Sequence, residues 1–249
     1  MEIINLHAIP TIPPQDLVKD KVKKKTEELI EELTELQNLL FAESKWSLLL
    51  VLQGMDGSGK DGAVKNVFGG ANPSGVSVTS FRAPNKEELA HDFLWRIHKQ
   101  TPEKGMIKIF NRSHYEDVLV TRVLKFIDDK KAYERFKQIN DFEDMLLKNK
   151  TVVVKFFFHI SPEIQQERFE ERRTDPKKHW KYNPEDMKAT SDWDKYMGYY
   201  NEVFENCSPQ NPWTIVPADK NWYKEYIFAK KIVETLRGLE MKYPPLRLE

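Results

Sequence analysis

A glycine-rich turn at residues 54–61 has the residue types and the spacing that bind phosphate groups. It reads GMDGSGKD and fits the pattern G-x-x-x-x-G-K. Glycines allow successive backbone N–H groups to point at phosphate oxygens, and the helix that follows contributes its positive N-terminal end. Lys60 would then reach the phosphoryl group that is transferred. The expected phosphate-binding residues of this turn are Gly57, Ser58, Gly59, Lys60 and Asp61.

Two carboxylates in the same turn suggest a metal ion. Asp61 stands where such loops usually have a Ser or Thr that holds Mg²⁺, and a carboxylate is also a hard oxygen ligand. Asp56 lies inside the loop, where phosphates would repel it unless a cation lies between them. We therefore expect Asp56 and Asp61 to bind Mg²⁺. The structural alternative for Asp56 is a turn residue whose side chain accepts a backbone hydrogen bond.

A second polar segment, NRSHYED at residues 111–117, follows a short predicted strand. In P-loop enzymes the end of a neighbouring strand contributes groups that organise the metal. Arg112 would enter the same crevice and stabilise charge on a phosphoryl group during transfer. His114 could act as a base, but phosphoryl transfer depends on positioning more than on proton abstraction, which favours a structural role. The predicted catalytic residues are Asp56, Lys60 and Arg112.

A basic segment, RFEERRTDPKKHWK, covers residues 168–181 and has six cationic side chains against three acidic ones. Helical spacing places Arg168 and Arg172 on one face, and the apolar periodicity is lost beyond them. Beside a phosphate-binding loop, this pattern favours a lid at about 165–190 that closes cations over phosphates. The alternative is the solvated end of a charged helix. The predicted phosphate-binding residues here are Arg168, Arg172, Arg173, Lys177, Lys178 and Lys181.

Alternating strands and helices would position these segments. Apolar or β-branched runs predict strands at 46–53, 76–81, 106–110, 151–160 and 213–216. Helices are predicted at 16–42, 61–68, 86–99, 115–123, 131–147, 162–173, 185–206 and 222–239. Five strands separated by helices predict an α/β fold with a parallel sheet covered on both faces. In such sheets ligands bind at the carboxyl ends of the strands, where both polar segments lie.

The overall composition argues against several other classes of protein. The 249 residues contain 39 basic and 39 acidic side chains, so the overall basic excess of a general nucleic-acid binder is missing. No apolar run approaches the roughly 20 residues of a membrane helix, and the N-terminus lacks the pattern of a signal peptide. The single cysteine, Cys207, excludes an internal disulfide bond and fits a reducing compartment. We expect a cytoplasmic protein that does not bind nucleic acid or membranes.

These motifs together resemble the polyphosphate kinase 2 family. The matching strings are GMDGSGKDG at 54–62, NPSGV at 72–76, ELAHDFLWRIH at 88–98, IFNRSHYEDVLVTRV at 109–123, ERFEERRTDPKKHWK at 167–181 and VPADKNWY at 216–223. The resemblance covers about residues 16–243. It implies a three-layer α/β/α P-loop kinase fold with a helical lid, related to thymidylate kinases. It also implies Mg²⁺-dependent phosphoryl transfer between polyphosphate and the adenine nucleotides AMP, ADP and ATP.

The resemblance also assigns residues. Lys60 matches the loop lysine of the family, Asp56 and Asp61 match its paired aspartates, and Arg112 matches the arginine after the third strand. Many members have Asp where this chain has Asn111, and NRSHYED looks like the subgroup, often called class III, that phosphorylates both AMP and ADP. Glu116 would then compensate for the lost carboxylate. The predicted nucleotide-binding residues are Phe81, Arg82, Pro84, Asn111, Arg112 and Glu116, and the loop 219–222 is an alternative place for the base.

The chain is expected to form a single domain over 1–249, with an N-terminal arm and helix over 1–45. Family members are commonly dimers or tetramers, and this arm and helix could mediate association. Two alternative functions stay open at this point. One is an ATP-dependent nucleoside monophosphate kinase, against which Asp61 argues. The other is a nucleotide-binding regulator without catalytic activity, against which Asp56, Lys60 and Arg112 together argue.

Overall fold

A five-stranded parallel sheet forms the centre of the fold. The computed structural model describes residues 5–182, 192–207 and 211–246. The strands are β1 (Ser47–Gln53), β2 (Val76–Ser80), β3 (Ile107–Asn111), β4 (Thr151–His159) and β5 (Trp213–Pro217). They lie in the order β2-β3-β1-β4-β5, and every neighbouring pair is parallel. The five predicted strands are confirmed within one or two residues at each end.

Helices cover both faces of this sheet. Side chains along a strand point alternately to its two faces. In β4, the rings of Phe156 and Phe158 contact Phe228, whereas the ring of Phe157 between them contacts Tyr200 and Phe204. Phe228 and the pair Tyr200 and Phe204 belong to different helices, which therefore lie on opposite faces. The predicted three-layer α/β/α arrangement is confirmed.

The long helices agree with the sequence pattern, and the short ones do not. In the described residues the helices are α1 (Lys19–Glu43), α2 (Lys60–Phe68), α3 (Lys86–Leu89), α4 (Trp95–His98), α5 (Val120–Val123), α6 (Asp129–Lys148), α7 (Pro162–Thr174), α8 (Trp193–Asn206) and α9 (Asn221–Arg237). Helix α1 packs against α9, and its apolar face buries Val22, Leu33 and Leu40. None of the helices in the described ranges has the length and hydropathy to span a bilayer. The predicted helix start at residue 185 lies outside the described residues.

The prediction of one helix over 86–99 is wrong. Two separate turns, α3 and α4, form instead, because the Asp92 side chain binds the backbone where a helix would have to continue. Asn85 and Glu88 form a reciprocal capping box around α3. The Asp92 carboxylate accepts a hydrogen bond from Leu94 N at 2.9 Å, which starts the next turn.

The prediction of one helix over 115–123 is also wrong. A 3₁₀ helix at His114–Val118 precedes the short α5. Leu119 separates them because its backbone, with φ −114° and ψ −82°, leaves the helical region.

The N-terminal arm is anchored near the carboxyl ends of β4 and β5. Leu6 is fully buried, and its carbonyl is 3.0 Å from Nε2 of His159, the last residue of β4. The Thr11 hydroxyl donates a hydrogen bond to the Asp219 carboxylate at 2.7 Å, two residues beyond β5. The arm therefore packs on its own chain across the edge of the sheet where the polar segments are predicted to meet.

A buried ionic cluster lies between β4 and α6. The Lys155 ammonium is completely buried and donates to Glu143 at 2.7 Å, to Tyr115 Oη at 3.1 Å and to Cys207 O at 2.5 Å. Burial favours the neutral form of Glu143, but Lys155 and His114 outweigh it and hold the pKa of Glu143 below its usual value. His114 is fully buried and 3.3 Å from Glu143, which supports its structural role. Burial raises the pKa of the Cys207 thiol to about 12, so this cysteine is a poor nucleophile.

We predict that Lys155→Met destabilises the fold by about 3–5 kcal/mol at neutral pH, because it leaves the Glu143 carboxylate buried without its cation. The free energy of unfolding from urea denaturation measures the effect. Lys148→Met is the matched control, since the Lys148–Asp144 pair is exposed and is expected to contribute less than about 1 kcal/mol. The folded pKa of Glu143 is depressed, so the difference between wild type and Lys155→Met is full at neutral pH and shrinks as the pH falls through that pKa. Equal losses in both variants would contradict this account.

Candidate active site

The glycine-rich turn forms a loop between β1 and α2 that depends on its glycines. Gly54 has φ +140°, and a Cβ at this position would lie 2.6 Å from Phe158 O of β4. Gly59 has φ +85° and caps the N-terminus of α2. Side chains larger than hydrogen are strained at both positions. The sequence therefore places the loop against the sheet and directs the N-terminus of α2 at the same point.

Lys60 is held inside this loop. Its side chain is 7% exposed, and its ammonium donates to Gly54 O at 2.7 Å, to Met55 O at 3.3 Å and to Ser58 Oγ at 3.3 Å. Burial lowers the pKa of Lys60, and the charge of Asp56 acts in the opposite direction. These acceptors hold the ammonium in place, and its charge adds to the positive N-terminal end of α2, where phosphate oxygens bind.

Asp56 and Arg112 form an ion pair across the loop. Arg112 Nη2 lies 2.6 Å from Asp56 Oδ1, and the two side chains are 42% and 30% exposed. Burial alone would raise the pKa of Asp56, but Arg112 and Lys60 outweigh it and hold that pKa below its usual value. The backbone of Arg112 is left-handed, with φ +61°. For a non-glycine residue this conformation is strained, and such strain is concentrated at functional sites.

Asp61 and Asn111 meet on the other side of the loop. The Asn111 amide donates to Asp61 Oδ1 at 2.5 Å, and the Lys181 ammonium is 4.0 Å from Asp61 Oδ2. Asn111 is the last residue of β3 and is paired in register with Leu52 of β1 and Ser80 of β2. The parallel register therefore brings the end of β3 to the loop that follows β1.

The first half of α7 is hydrogen-bonded to the loop. Ser161 caps this helix and Pro162 begins it, as the sequence predicts. The Gln165 amide donates to Asp56 O at 2.7 Å, and Arg168 donates to Gly57 O at 2.7 Å and to Ala218 O at 2.9 Å. The base of the predicted lid is thus attached both to the loop and to the segment after β5.

These elements enclose a cavity of about 780 Å³. Most of the predicted site residues line it, namely Asp56, Gly57, Gly59, Lys60, Asp61, Phe81, Arg82, Asn111, Arg112, Arg168, Arg172, Lys178 and Lys181. Phe81 is only 7% exposed, because its ring packs against Phe110 and under the Arg96 guanidinium. Cationic side chains dominate the wall, which makes the cavity suited to a ligand with several negative charges.

Five predicted residues do not line this cavity. Ser58 is buried inside the loop, and Pro84 and Lys177 are exposed elsewhere. Arg173 is exposed and forms a bidentate pair with Glu170 at 2.7 and 2.9 Å. Glu116 is partly buried near Arg112 and Lys60, and its burial raises its pKa against the effect of these two cations.

Sequence reasoning missed several residues of the cavity wall. Trp180, which is 79% exposed, lines it from the basic segment. Asn221 and Lys224 line it from the first turn of α9. Asn221 belongs to the loop 219–222 considered as an alternative place for the base, whereas a lone helical lysine such as Lys224 gave no signal in the sequence.

The two loop carboxylates suit a magnesium ion. The described residues contain no group of three or more acidic, His or Cys side chains arranged around a metal. Mg²⁺ commonly takes one or two carboxylates and completes its shell with water and substrate phosphates. Asp56 and Asp61 line the same cavity and each uses one carboxylate oxygen in a hydrogen bond, so the donor set fits a metal shared with phosphates.

A family comparison agrees with this geometry. The sequence model described as Polyphosphate kinase 2 matches residues 16–244, nearly the whole chain. The chain belongs to the polyphosphate kinase 2 family. The chain is similar to the crystal structure of polyphosphate kinase 2 from Arthrobacter aurescens, with a TM-score of 0.96 and 39% sequence identity. The superposition covers 100% of this chain and 90% of the Arthrobacter chain. The resemblance stated from the motifs is confirmed.

Curated members of the family are similar over most of their lengths. The AMP/ADP-polyphosphate phosphotransferase of Meiothermus ruber is 46% identical over 213 residues, which cover 85% of this chain and 80% of the relative. The ADP-polyphosphate phosphotransferase of Rhodopseudomonas palustris is 40% identical, with 86% of this chain and 79% of the relative covered.

We predict that Arg112→Met raises the pKa of Asp56. The variant removes the cation that contributes most to offsetting burial, while Lys60 remains, so the carboxyl should titrate at a higher pH than it does in wild type. The side-chain ¹³C resonance of Asp56, followed by NMR across pH 2–7, measures the change. Arg173→Met is the control, because Arg173 pairs with the exposed Glu170 and should leave Asp56 unaffected. An unchanged titration of Asp56 in Arg112→Met would show that the ion pair does not determine its charge.

Proposed function

We propose that this protein is a Mg²⁺-dependent polyphosphate:nucleotide phosphotransferase that converts AMP to ADP and ADP to ATP. The observation that carries the proposal is the convergence of Lys60, the Asp56–Arg112 pair and the Asp61–Asn111 pair in one cationic cavity. Two relatives, 46% and 40% identical, are an AMP/ADP-polyphosphate phosphotransferase and an ADP-polyphosphate phosphotransferase, which gives it further support.

The reaction is an in-line displacement at phosphorus. An oxygen of the nucleotide phosphate attacks the terminal phosphorus of polyphosphate and forms a new P–O bond. The bond to the bridging oxygen breaks, and a chain shorter by one phosphate leaves. The attacking oxygen is already ionised, so no protein base is needed, which agrees with the burial of His114.

The protein contributes position and positive charge. Lys60 and Arg112 both interact electrostatically with Asp56 and stabilise negative charge on the phosphoryl oxygens during transfer. Lys178 and Lys181 belong to the wall that the basic segment contributes, and they bring further cations to the same cavity. Asp56 and Asp61 would hold Mg²⁺, which neutralises phosphate charge when it is bound.

The acceptor nucleotide is assigned to the wall formed by the ends of β2 and β3. Phe81, Arg82 and Asn111 line the cavity there, and the buried Arg96 donates to Arg82 O at 2.8 Å and so fixes that turn. With Asn111 at the end of β3, the position next to Asp61 has no second carboxylate to repel the acceptor phosphate. This supports AMP as an acceptor in addition to ADP, the activity expected of the subgroup.

We infer one domain over the whole chain, a reducing and therefore cytoplasmic setting, and a homo-oligomer of two or four subunits. The free, buried Cys207 supports the reducing setting. Light scattering of the purified protein determines the number of subunits.

We predict that the purified protein, with Mg²⁺, AMP and long-chain polyphosphate, produces ADP first and ATP later without added ATP. Chromatographic separation of the nucleotides over time measures this. Conversion of ADP alone would leave polyphosphate transfer standing and reject AMP as an acceptor. Phosphorylation of AMP by ATP without polyphosphate would instead favour the nucleoside monophosphate kinase, and nucleotide binding without turnover would favour the regulator.

We also predict that Lys60→Met lowers kcat on the order of 10²-fold or more, because it removes a charge that stabilises the transition state. Initial rates at saturating polyphosphate and AMP measure the loss. Lys65→Met on the same helix is the control, since Lys65 is exposed and does not line the cavity. A kcat close to that of wild type in Lys60→Met would remove this lysine from the mechanism.

A further inference from the structure

A buried lysine that the proposed mechanism does not use lies at one end of the cavity. Lys224, in the first turn of α9, is 2% exposed and lines the cavity wall. Its ammonium donates to Asn221 Oδ1 at 2.8 Å, and this is its single hydrogen bond within the described part of the chain. An ammonium group has three N–H donors, so two of them are not used by protein acceptors in those ranges.

The charged groups around Lys224 do not neutralise its positive charge. Burial and the cations of Arg168 and Lys60 together lower the pKa of Lys224 to about 8, and Glu225 is the acidic neighbour that opposes them. The Glu225 carboxylate accepts a hydrogen bond from the Asn66 amide at 2.7 Å, so part of its capacity is already used. A buried charge is stable when it has an ionic partner. This end of the cavity therefore favours an anion from outside the protein.

The ammonium of Lys224 lies directly against the phosphate-binding loop. A Cβ placed on Gly59 would be 2.4 Å from Lys224 Nζ and 3.4 Å from Arg168 Nη1. Both cations thus stand over the backbone at the N-terminus of α2, next to the residue that precedes Lys60. A phosphate bound here would also benefit from the positive end of that helix.

The sheet order separates this end from the nucleotide end. The loop follows the central strand β1, Phe81 and Arg82 follow the edge strand β2, and α9 follows the opposite edge strand β5. The wall on the α9 side is formed by Asn66, Arg168, Asn221, Lys224 and Glu225, which are charged or amide side chains. The aromatic residues that line the cavity belong to other elements, since Phe81 follows β2 and Trp180 lies in the basic segment after α7. An unbranched phosphate chain needs only cations and hydrogen-bond donors.

We propose that Lys224, together with Arg168, binds the phosphate units of the polyphosphate donor on the side of the loop opposite to the nucleotide. This assignment rests on the proposed function, because it takes polyphosphate as the donor. Lys224 then determines the affinity for polyphosphate and leaves the affinity for the nucleotide unaffected.

Direct binding measurements test the assignment without turnover. Isothermal titration calorimetry of the full chain, with a polyphosphate of defined length and separately with AMP, gives both dissociation constants. In Lys224→Met we expect the dissociation constant for polyphosphate to rise about tenfold or more, because a charge-assisted hydrogen bond to phosphate is lost. The dissociation constant for AMP should stay within about twofold of wild type. Lys230→Met is the matched control, since Lys230 is exposed on the same helix and pairs with Glu234.

Other outcomes would overturn the proposal. An unchanged affinity of Lys224→Met for polyphosphate would show that Lys224 does not contact the donor, and a parallel loss for AMP would assign it to the nucleotide. Lys224→Gln keeps a polar side chain and should weaken polyphosphate binding in the same way. It provides the test if the methionine variant does not fold correctly. If Lys224→Met weakens polyphosphate binding but the wild-type protein does not transfer phosphate, the proposed function is rejected and the assignment of Lys224 stands. If the wild-type protein transfers phosphate and Lys224→Met binds polyphosphate equally well, the proposed function stands and the assignment of Lys224 is rejected.

Discussion

The concentration of positive charge at one end of the sheet is the constraint on which the site depends. Lys60 and Lys224 are almost fully buried there, and Arg112 and Arg168 lie in the same cavity wall. Like charges held this close repel one another, and burial removes the water that would screen them. The fold offsets this repulsion in part with backbone carbonyls that accept from Lys60 and Arg168 and with the Asp56 carboxylate that contacts Arg112. A ligand with several negative charges supplies the rest.

The parallel topology makes this concentration possible. Because all five strands run in one direction, their carboxyl ends meet at one edge, and β1 at the centre of the order places the glycine-rich loop between the other strand ends. The start of the loop is packed against β4, since Gly54 lies too close to that strand for any side chain. The strained backbone of Arg112 is then held by a sheet whose central strand is completely buried. The stability of the core therefore maintains a local conformation that an isolated segment would not adopt.

The sequence predicts the loop, the five strands and the long helices, because their signals are local. Gly54, Gly59 and Lys60 occur at the spacing of a phosphate-binding loop. The apolar run of β4 is characteristic of a buried parallel strand. The two helices predicted over 86–99 and 115–123 failed because capping by Asp92 and the backbone of Leu119 override helical periodicity.

The cavity wall is less predictable from the sequence, because tertiary packing determines which side chains are buried and which of them point into the cavity. Arg173 and Arg172 are neighbours in a basic run, yet Arg173 pairs with Glu170 outside the cavity and Arg172 lines it. Lys224 has no distinguishing neighbours in sequence, and only the packing of α9 beside the loop shows that it is buried.

The attachment of α7 has a consequence for how a substrate enters and a product leaves. Tilting this helix at its start would break the hydrogen bonds that Gln165 and Arg168 make with the loop and with the residues after β5. Bending at its end, where Asp175 adopts an extended backbone with ψ 112°, breaks none of them. A movement of residues 176–182 at Asp175 would break the contacts of Lys178 with Glu171 and of His179 with Arg173 O, but it would leave the hydrogen bonds of α7 with the phosphate-binding loop intact.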